Sequence, residues 1–185
     1  MKKILSLVLC IVFMFCLTAC GKSSGKSDHD IDIKYYASLG QINDVEYKLG
    51  GDVDSAQQTL SADIENSVDE HGHEKFYYDY QSGDYSVLTD GAVCCCYKTE
   101  SKADGITHIV KYGGAYGFNQ GAVSTQVSDT MSSLGYEANE REAKSGELFF
   151  MPAGAGFTVL EYKIKDNTVL FVFQEHALSA TVIYK

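Results

Sequence analysis

Apolar residues recur along this chain with two periods, four and two, and the switch between them marks the elements. Behind Asp54, Ala56, Leu60 and Ile64 fall at every fourth position, which predicts a helix capped by Asp54. A similar stripe follows Ser124, where Val127, Met131 and Leu134 share one face of a second predicted helix with Ser124 as its cap. Each helical pattern gives way to short stretches rich in β-branched and aromatic residues. In the first half these cover residues 74–80, 85–88, 92–99 and 106–112, punctuated by Ser82-Gly83-Asp84, Asp90-Gly91 and Asp104-Gly105. In the second half they cover residues 147–151, 157–164, 168–174 and 180–184, with Asp166-Asn167 at a tight turn. Turns this short predict antiparallel pairing. Leu160, Tyr162 and Ile164 alternate with Glu161, Lys163 and Lys165, so that strand has a core face and a wet face. Residues 169–173 are apolar on both faces, as expected of a central strand under neighbouring loops or of one whose second face meets a partner.

The two halves repeat this order. Ala56, Leu60 and Ile64 align with Val127, Met131 and Leu134; Phe76-Tyr77-Tyr78 with Leu148-Phe149-Phe150; Tyr85-Ser86-Val87-Leu88 with Phe157-Thr158-Val159-Leu160; Cys94-Cys95-Cys96-Tyr97 with Leu170-Phe171-Val172-Phe173; and Ile109-Val110 with Val182-Ile183. The expected fold is therefore α+β: two tandem repeats, residues 33–112 and 113–185, each a helical segment followed by an antiparallel meander, with the helices on one face of the sheet.

Ahead of the repeats the pattern changes. Lys2 and Lys3 precede an apolar run over residues 4–17, the length of a signal-peptide core and short of the ~20 residues a spanning helix needs. The run closes in Leu17-Thr18-Ala19-Cys20-Gly21, which resembles the bacterial lipobox; that resemblance implies cleavage after residue 19 and diacylglycerol on Cys20. Two acyl chains suffice for stable anchoring, so the protein is expected at the extracytoplasmic face of the cell membrane, held by lipid without spanning. Residues 20–32 are polar and rich in Gly and Ser, and read as a tether. Removing Lys2 and Lys3 takes the formal charge from −10 to −12, the wrong sign for a nucleic-acid binder. With 45% hydrophobic and 12% aromatic residues in 185, the chain can bury a core yet is too short for a multidomain enzyme.

The segment Leu39-Gly40-Gln41-Ile42-Asn43-Asp44-Val45-Glu46-Tyr47-Lys48-Leu49-Gly50 is similar to the motif that opens the units of the β-lactamase inhibitory protein fold and of related small outer-membrane assembly lipoproteins. The resemblance implies a short helix with Val45 and Leu49 facing the core and Gly50 ending it, tandem helix-plus-sheet units, and a sheet that serves as a protein-binding surface. The chain departs from that pattern: Met-Thr after the first Gly is absent, the second copy is spaced differently, and no cysteine pair staples either copy. Inhibition of a β-lactamase is not implied.

Candidate chemistry is sparse. Cys94, Cys95 and Cys96 are three adjacent thiols, but strand neighbours point to opposite faces and at most two share one, whereas a structural zinc needs four ligands. They read as small apolar residues of a buried strand. His108 joins Cys95 on one face if the hairpin pairs Thr99 with Ile106. His71 and His73, with Glu74 and the preceding Asp69 and Glu70, form the best metal candidate; Gly72 between them reads as a loop, and no metal or other cofactor is assigned. The carboxylates Asp28, Asp30, Asp32, Asp52 and Asp54 show no pairing, and no nucleophile elbow is present. The single arginine, Arg141, is a poor basis for phosphate chemistry, and residues 137–144 read as a short charged helix. Tyrosines dominate the predicted strands. Tyr77 alternates with Phe76, Tyr78 and Tyr80, so one of the two sets faces away from the helices; Tyr77, Tyr78, Tyr80 and Tyr162 are the candidate partner-binding residues. The expected function is a non-enzymatic, membrane-anchored module that binds another envelope or extracellular protein through its sheet. The alternative is a small-ligand, glycan or metal-binding accessory of a surface or transport system.

Overall fold

The computed structural model describes residues 28–62, 77–151 and 156–185. Among the described residues there are three α-helices, α1 (Asp28–Tyr36), α2 (Val53–Ala62) and α3 (Ser124–Ser133), and no helix there is long and apolar enough to cross a membrane. The described residues also form eight strands, β1 (Tyr78–Ser82), β2 (Tyr85–Thr89), β3 (Val93–Lys98), β4 (His108–Tyr112), β5 (Asn139–Glu142), β6 (Phe157–Ile164), β7 (Asn167–Gln174) and β8 (Ala177–Tyr184). They form one antiparallel sheet in the order β1-β2-β3-β4-β8-β7-β6-β5. Two meanders thus meet through their last strands, with Ile109 opposite Ile183 and Val110 opposite Val182.

Strand alternation sorts the core into two clusters. One combines Leu88, Cys95, Ile109, Val169, Phe171 and Ile183 with the helix residues Ile33, Val53, Ala56, Leu60, Val127 and Met131. The other holds Val87, Cys94, Cys96, Val110, Leu170 and Val172, and its remaining surface is closed by Leu148 and Phe150. The double-sided apolarity of β7 has its reason here. It lies between β6 and β8, and the chain around residues 148–151 packs over the face that the first cluster does not use.

That packing corrects two expectations. Residues 147–151 are a series of turns and not a strand, because their apolar side chains serve as a cap on the second cluster. The fifth strand lies earlier, at Asn139–Glu142, where a charged helix was expected. Pairing with β6 sets Arg141 opposite Val159, between Glu147 and Glu161, and these partners favour the extended backbone over helix.

The helix starts also differ. Asp52, not Asp54, caps α2: its carboxylate accepts the backbone N–H of Ser55 at 2.7 Å, while Asp54 pairs with Lys102. At α3, Val123 occupies the capping position without a side-chain bond and makes a β-bridge to Ala177. The expected tether ends early, since α1 begins at Asp28. Val45 and Leu49 do face the core, both 8% exposed, but the segment is no helix. A bridge between Gln41 and Lys48 closes it into a loop, and Gly50 turns with φ 73°. There it docks on the strand entrance: Gly50 N–H donates to the Ile106 carbonyl at 2.7 Å, and Ile106 N–H to the Gly51 carbonyl at 3.0 Å. Gly105 is obligatory at this junction, because its φ is +78° and a Cβ would lie 2.7 Å from the Gly51 oxygen.

Candidate functional site

The two edges of the sheet differ in chemistry. At one end β5 carries Glu140, Arg141 and Glu142, a run of charge that discourages further strand pairing. Arg141 is fixed there, with its guanidinium 2.5 Å from Glu147 and 2.7 Å from Glu161. The pairing holds the Glu147 carboxyl below the usual carboxylate range, and Arg141 is spent on these two acids instead of standing ready for an anion. At the other end β1 pairs only with β2 among the described strands, and Tyr78, Asp79, Tyr80 and Gln81 are all exposed.

The alternation along β1 decides which tyrosines face away from the helices. Tyr77 packs against the helix-side cluster. Tyr78 and Tyr80 stand on the opposite face, in register with Thr89 and Val87, and are 58% and 39% exposed. Partial burial beside Cys94 and Cys96 raises the Tyr80 hydroxyl pKa. Tyr162 leaves the surface set: it is 1% exposed and packs edge-on against Phe171 at 5.9 Å, because β6 turns it toward the helices together with Leu160 and Ile164.

Cys94, Cys95 and Cys96 are fully buried and free of disulfides. Desolvation raises all three thiol pKa values, which keeps the sulfurs protonated and unreactive. The Cys94 thiol donates to the Tyr112 hydroxyl at 3.3 Å, and that hydroxyl donates to the Phe150 carbonyl at 2.7 Å, linking β3 to the cap. His108 does not share a face with Cys95. The register pairs it with Cys96 directly, on the face of the second cluster. His71, His73, Glu74 and Cys20 lie outside the described residues, and among the described residues no group of three potential metal ligands occurs.

His108 instead belongs to an aromatic cluster that the linear pattern does not announce. Tyr85 and Phe149 stack in parallel at 4.4 Å, His108 stands edge-on to both at 5.1 and 5.4 Å, and Tyr184 stacks on His108 at 5.2 Å. These rings border a cavity of about 170 Å³ whose other boundary includes Leu170 and Val182. Burial, with Lys98 nearby, lowers the His108 pKa to about 4, so the imidazole is neutral at pH 7. Four stretches of chain supply these residues; each lies in a predicted strand, but nothing in the linear pattern brings the four together.

No protein-family model, no curated protein and no solved structure matches the chain. The functional reading rests on its own residues.

Proposed function

We propose that this protein is an extracytoplasmic, lipid-anchored and non-enzymatic binding module whose docking surface for another envelope or extracellular protein is the β1 edge. The observation that carries the reading is the exposure of β1 along Tyr78, Asp79, Tyr80 and Gln81, with two tyrosines side by side on one face. An edge strand offers backbone hydrogen bonds to an incoming extended segment, and tyrosines beside it supply large, rigid contact area. The lipobox-like Leu17-Thr18-Ala19-Cys20 supports the anchor, and the acidic chain favours a neutral or basic partner.

Tandem duplication is part of the proposal. Val87 and Val159, Leu88 and Leu160, Cys94 and Leu170, and Cys95 and Phe171 align in sequence and fall pairwise in the same core clusters. In the last strand the alignment needs a one-residue slip, matching Ile109 to Ile183, since Val182 joins the other cluster. The irregularity between β7 and β8 at Val172/Phe173 accounts for an extra residue there. The alignment does not extend to the first strands, because Tyr78 opens β1 while its counterpart Phe150 lies in turns and β5 comes earlier; joining the two meanders by their last strands leaves both first strands at the edges, one charged and one aromatic.

The test is affinity capture from envelope extract by the tethered protein, run in parallel with Tyr78→Lys/Tyr80→Lys. A reproducible partner of the wild type that the variant loses, at unchanged stability, is expected. A partner retained equally by both places the surface elsewhere, and an empty capture from folded protein removes the reading.

A further inference from the structure

The aromatic cavity around His108 does not include Tyr78 or Tyr80, although β1 meets it where the Ser82 hydroxyl donates to the Phe149 carbonyl at 3.2 Å, and it has its own chemistry. Thr107 favours one imidazole tautomer. With its hydroxyl donating to the Cys96 carbonyl at 3.1 Å, its oxygen faces the His108 Nδ1 at 3.0 Å as an acceptor, an arrangement that favours the proton on Nδ1. Nε2 is left with its lone pair and has no hydrogen-bond partner among the described residues. The ring that bears it lines the cavity. Around this acceptor the boundary is mostly rings and aliphatic side chains, from Tyr85, Phe149, Tyr184, Leu170 and Val182, with the Glu147 carboxylate at one side.

Size and charge narrow what fits. Packed interiors contain few voids larger than a water molecule, and an apolar cavity of ~150 Å³ takes up a benzene-sized ring. At about 170 Å³ this cavity has room for one ring or a small fused pair. Glu147 lies at its border, but Arg141 already neutralises that carboxylate at 2.5 Å. A ligand cation would lose its water without gaining a free countercharge, and an anion would meet Glu147 itself. An uncharged planar molecule stacks or meets edge-on with the existing rings, and one N–H or O–H on it can donate to Nε2.

We infer that the cavity bounded by Tyr85, His108, Phe149 and Tyr184 is a binding site for a small uncharged aromatic or heteroaromatic molecule that donates one hydrogen bond to His108 Nε2.

The probe is indole, and the protein suits it. The chain contains no tryptophan, so indole excited at the red edge of its absorption reports its own environment above the tyrosine background. Indole titrated into the mature chain is expected to shift to shorter wavelength and to be displaced by indene, which has the same shape without the N–H. His108→Phe keeps the ring and removes the acceptor; it is expected to weaken indole about tenfold and leave indene unchanged, the effect of one lost hydrogen bond. Val182→Leu narrows the cavity and should weaken both. In the wild type, the His108 Nε2 nitrogen resonance should move on adding indole but not indene, a readout that no variant's folding affects. Absence of saturable indole binding at millimolar concentration, an unmoved Nε2 resonance, or equal loss of indole and indene in a folded His108→Phe would each overturn the assignment.

Discussion

Phe150→Ala tests whether the turns over residues 148–151 are a working part of the core or an ornament on it. Phe150 is 4% exposed and shares a cluster with Val87, Cys94, Cys96 and Val110, while its carbonyl accepts the Tyr112 hydroxyl. Truncation leaves that backbone bond in place and removes only the ring, so the loss reports packing. Transfer of a fully buried Phe contributes about 1.5–3 kcal/mol, and an unrelaxed cavity brings Phe→Ala to about 3–5 kcal/mol. Turns settle more readily than strands, which puts the expectation at the low end, about 3 kcal/mol. For a chain of this size that is a drop of about 6–12 °C in Tm. Urea unfolding should show a lower midpoint at unchanged slope. A second readout is thiol labelling with the modified residues located by mass spectrometry. Cys94 and Cys96 lie under the cap and Cys95 under the helices, so the variant should admit reagent to Cys94 and Cys96 first. A loss below about 1 kcal/mol with all three thiols still protected would refute the role given to this segment.

Two further outcomes follow from particular residues. Gly105→Ala meets both a left-handed backbone and the Gly51 carbonyl and should cost about 2–3 kcal/mol, against about 1 kcal/mol for Gly83→Ala, where φ is +59° but nothing lies within 4 Å; equal urea midpoints for the two would show that the Gly50–Gly51 docking contributes nothing. His108 is neutral in the folded chain with a pKa of about 4, below the ~6.5 of an unfolded histidine, so the stability it preserves is complete above about pH 6.5 and lost as pH falls toward 4, on the order of 3 kcal/mol. Imidazole NMR across that range should show His108 untitrated at pH 5.5, and a native-state midpoint near 6.5 would contradict its burial.

Period and turn chemistry carried much of the fold into the linear text. The helices at Val53–Ala62 and Ser124–Ser133, the strands from Tyr85 to Tyr112 and from Phe157 to Tyr184, and the antiparallel pairing were all legible, because each has a regular stripe or a tight turn of its own. The departures share a cause. Residues 148–151 are apolar like a strand, yet their pattern does not say whether the burial is lateral, in a sheet, or vertical, over one. Residues 139–142 read as helix because alternating charge suits a solvated helix face; their strand is fixed by Arg141, whose partners Glu147 and Glu161 arrive from elsewhere in the chain. Capping failed by two residues at Asp52 for a related reason, Asp54 being engaged by Lys102.

The sites were legible to different depths, and the difference follows from how each is built. Tyr78 and Tyr80 share a face by alternation alone, a local rule, and the sequence lacked only the sign of that face, which Tyr77 supplies by packing toward the helices. Tyr162 obeys the same rule with the opposite sign, since Leu160 and Ile164 carry it inward. The His108 cavity obeys no local rule. Its rings come from β2, β4, β8 and the capping turns, and the contact of Thr107 with both Cys96 and His108 favours an imidazole with Nε2 as acceptor. The cap then couples the two halves of the fold. The same residues 146–150 that seal the second apolar cluster through Leu148 and Phe150 supply Phe149 and Glu147 to the cavity, and Glu147 is in turn paired with Arg141 of β5. A cavity assembled this way depends on Glu147 and Phe149 of the capping turns, whereas Tyr78 and Tyr80 are placed by the pairing of β1 with β2, and β1 meets the cap at Ser82. Disrupting β5 through Arg141 should therefore disturb the His108 site while leaving Tyr78 and Tyr80 on their face.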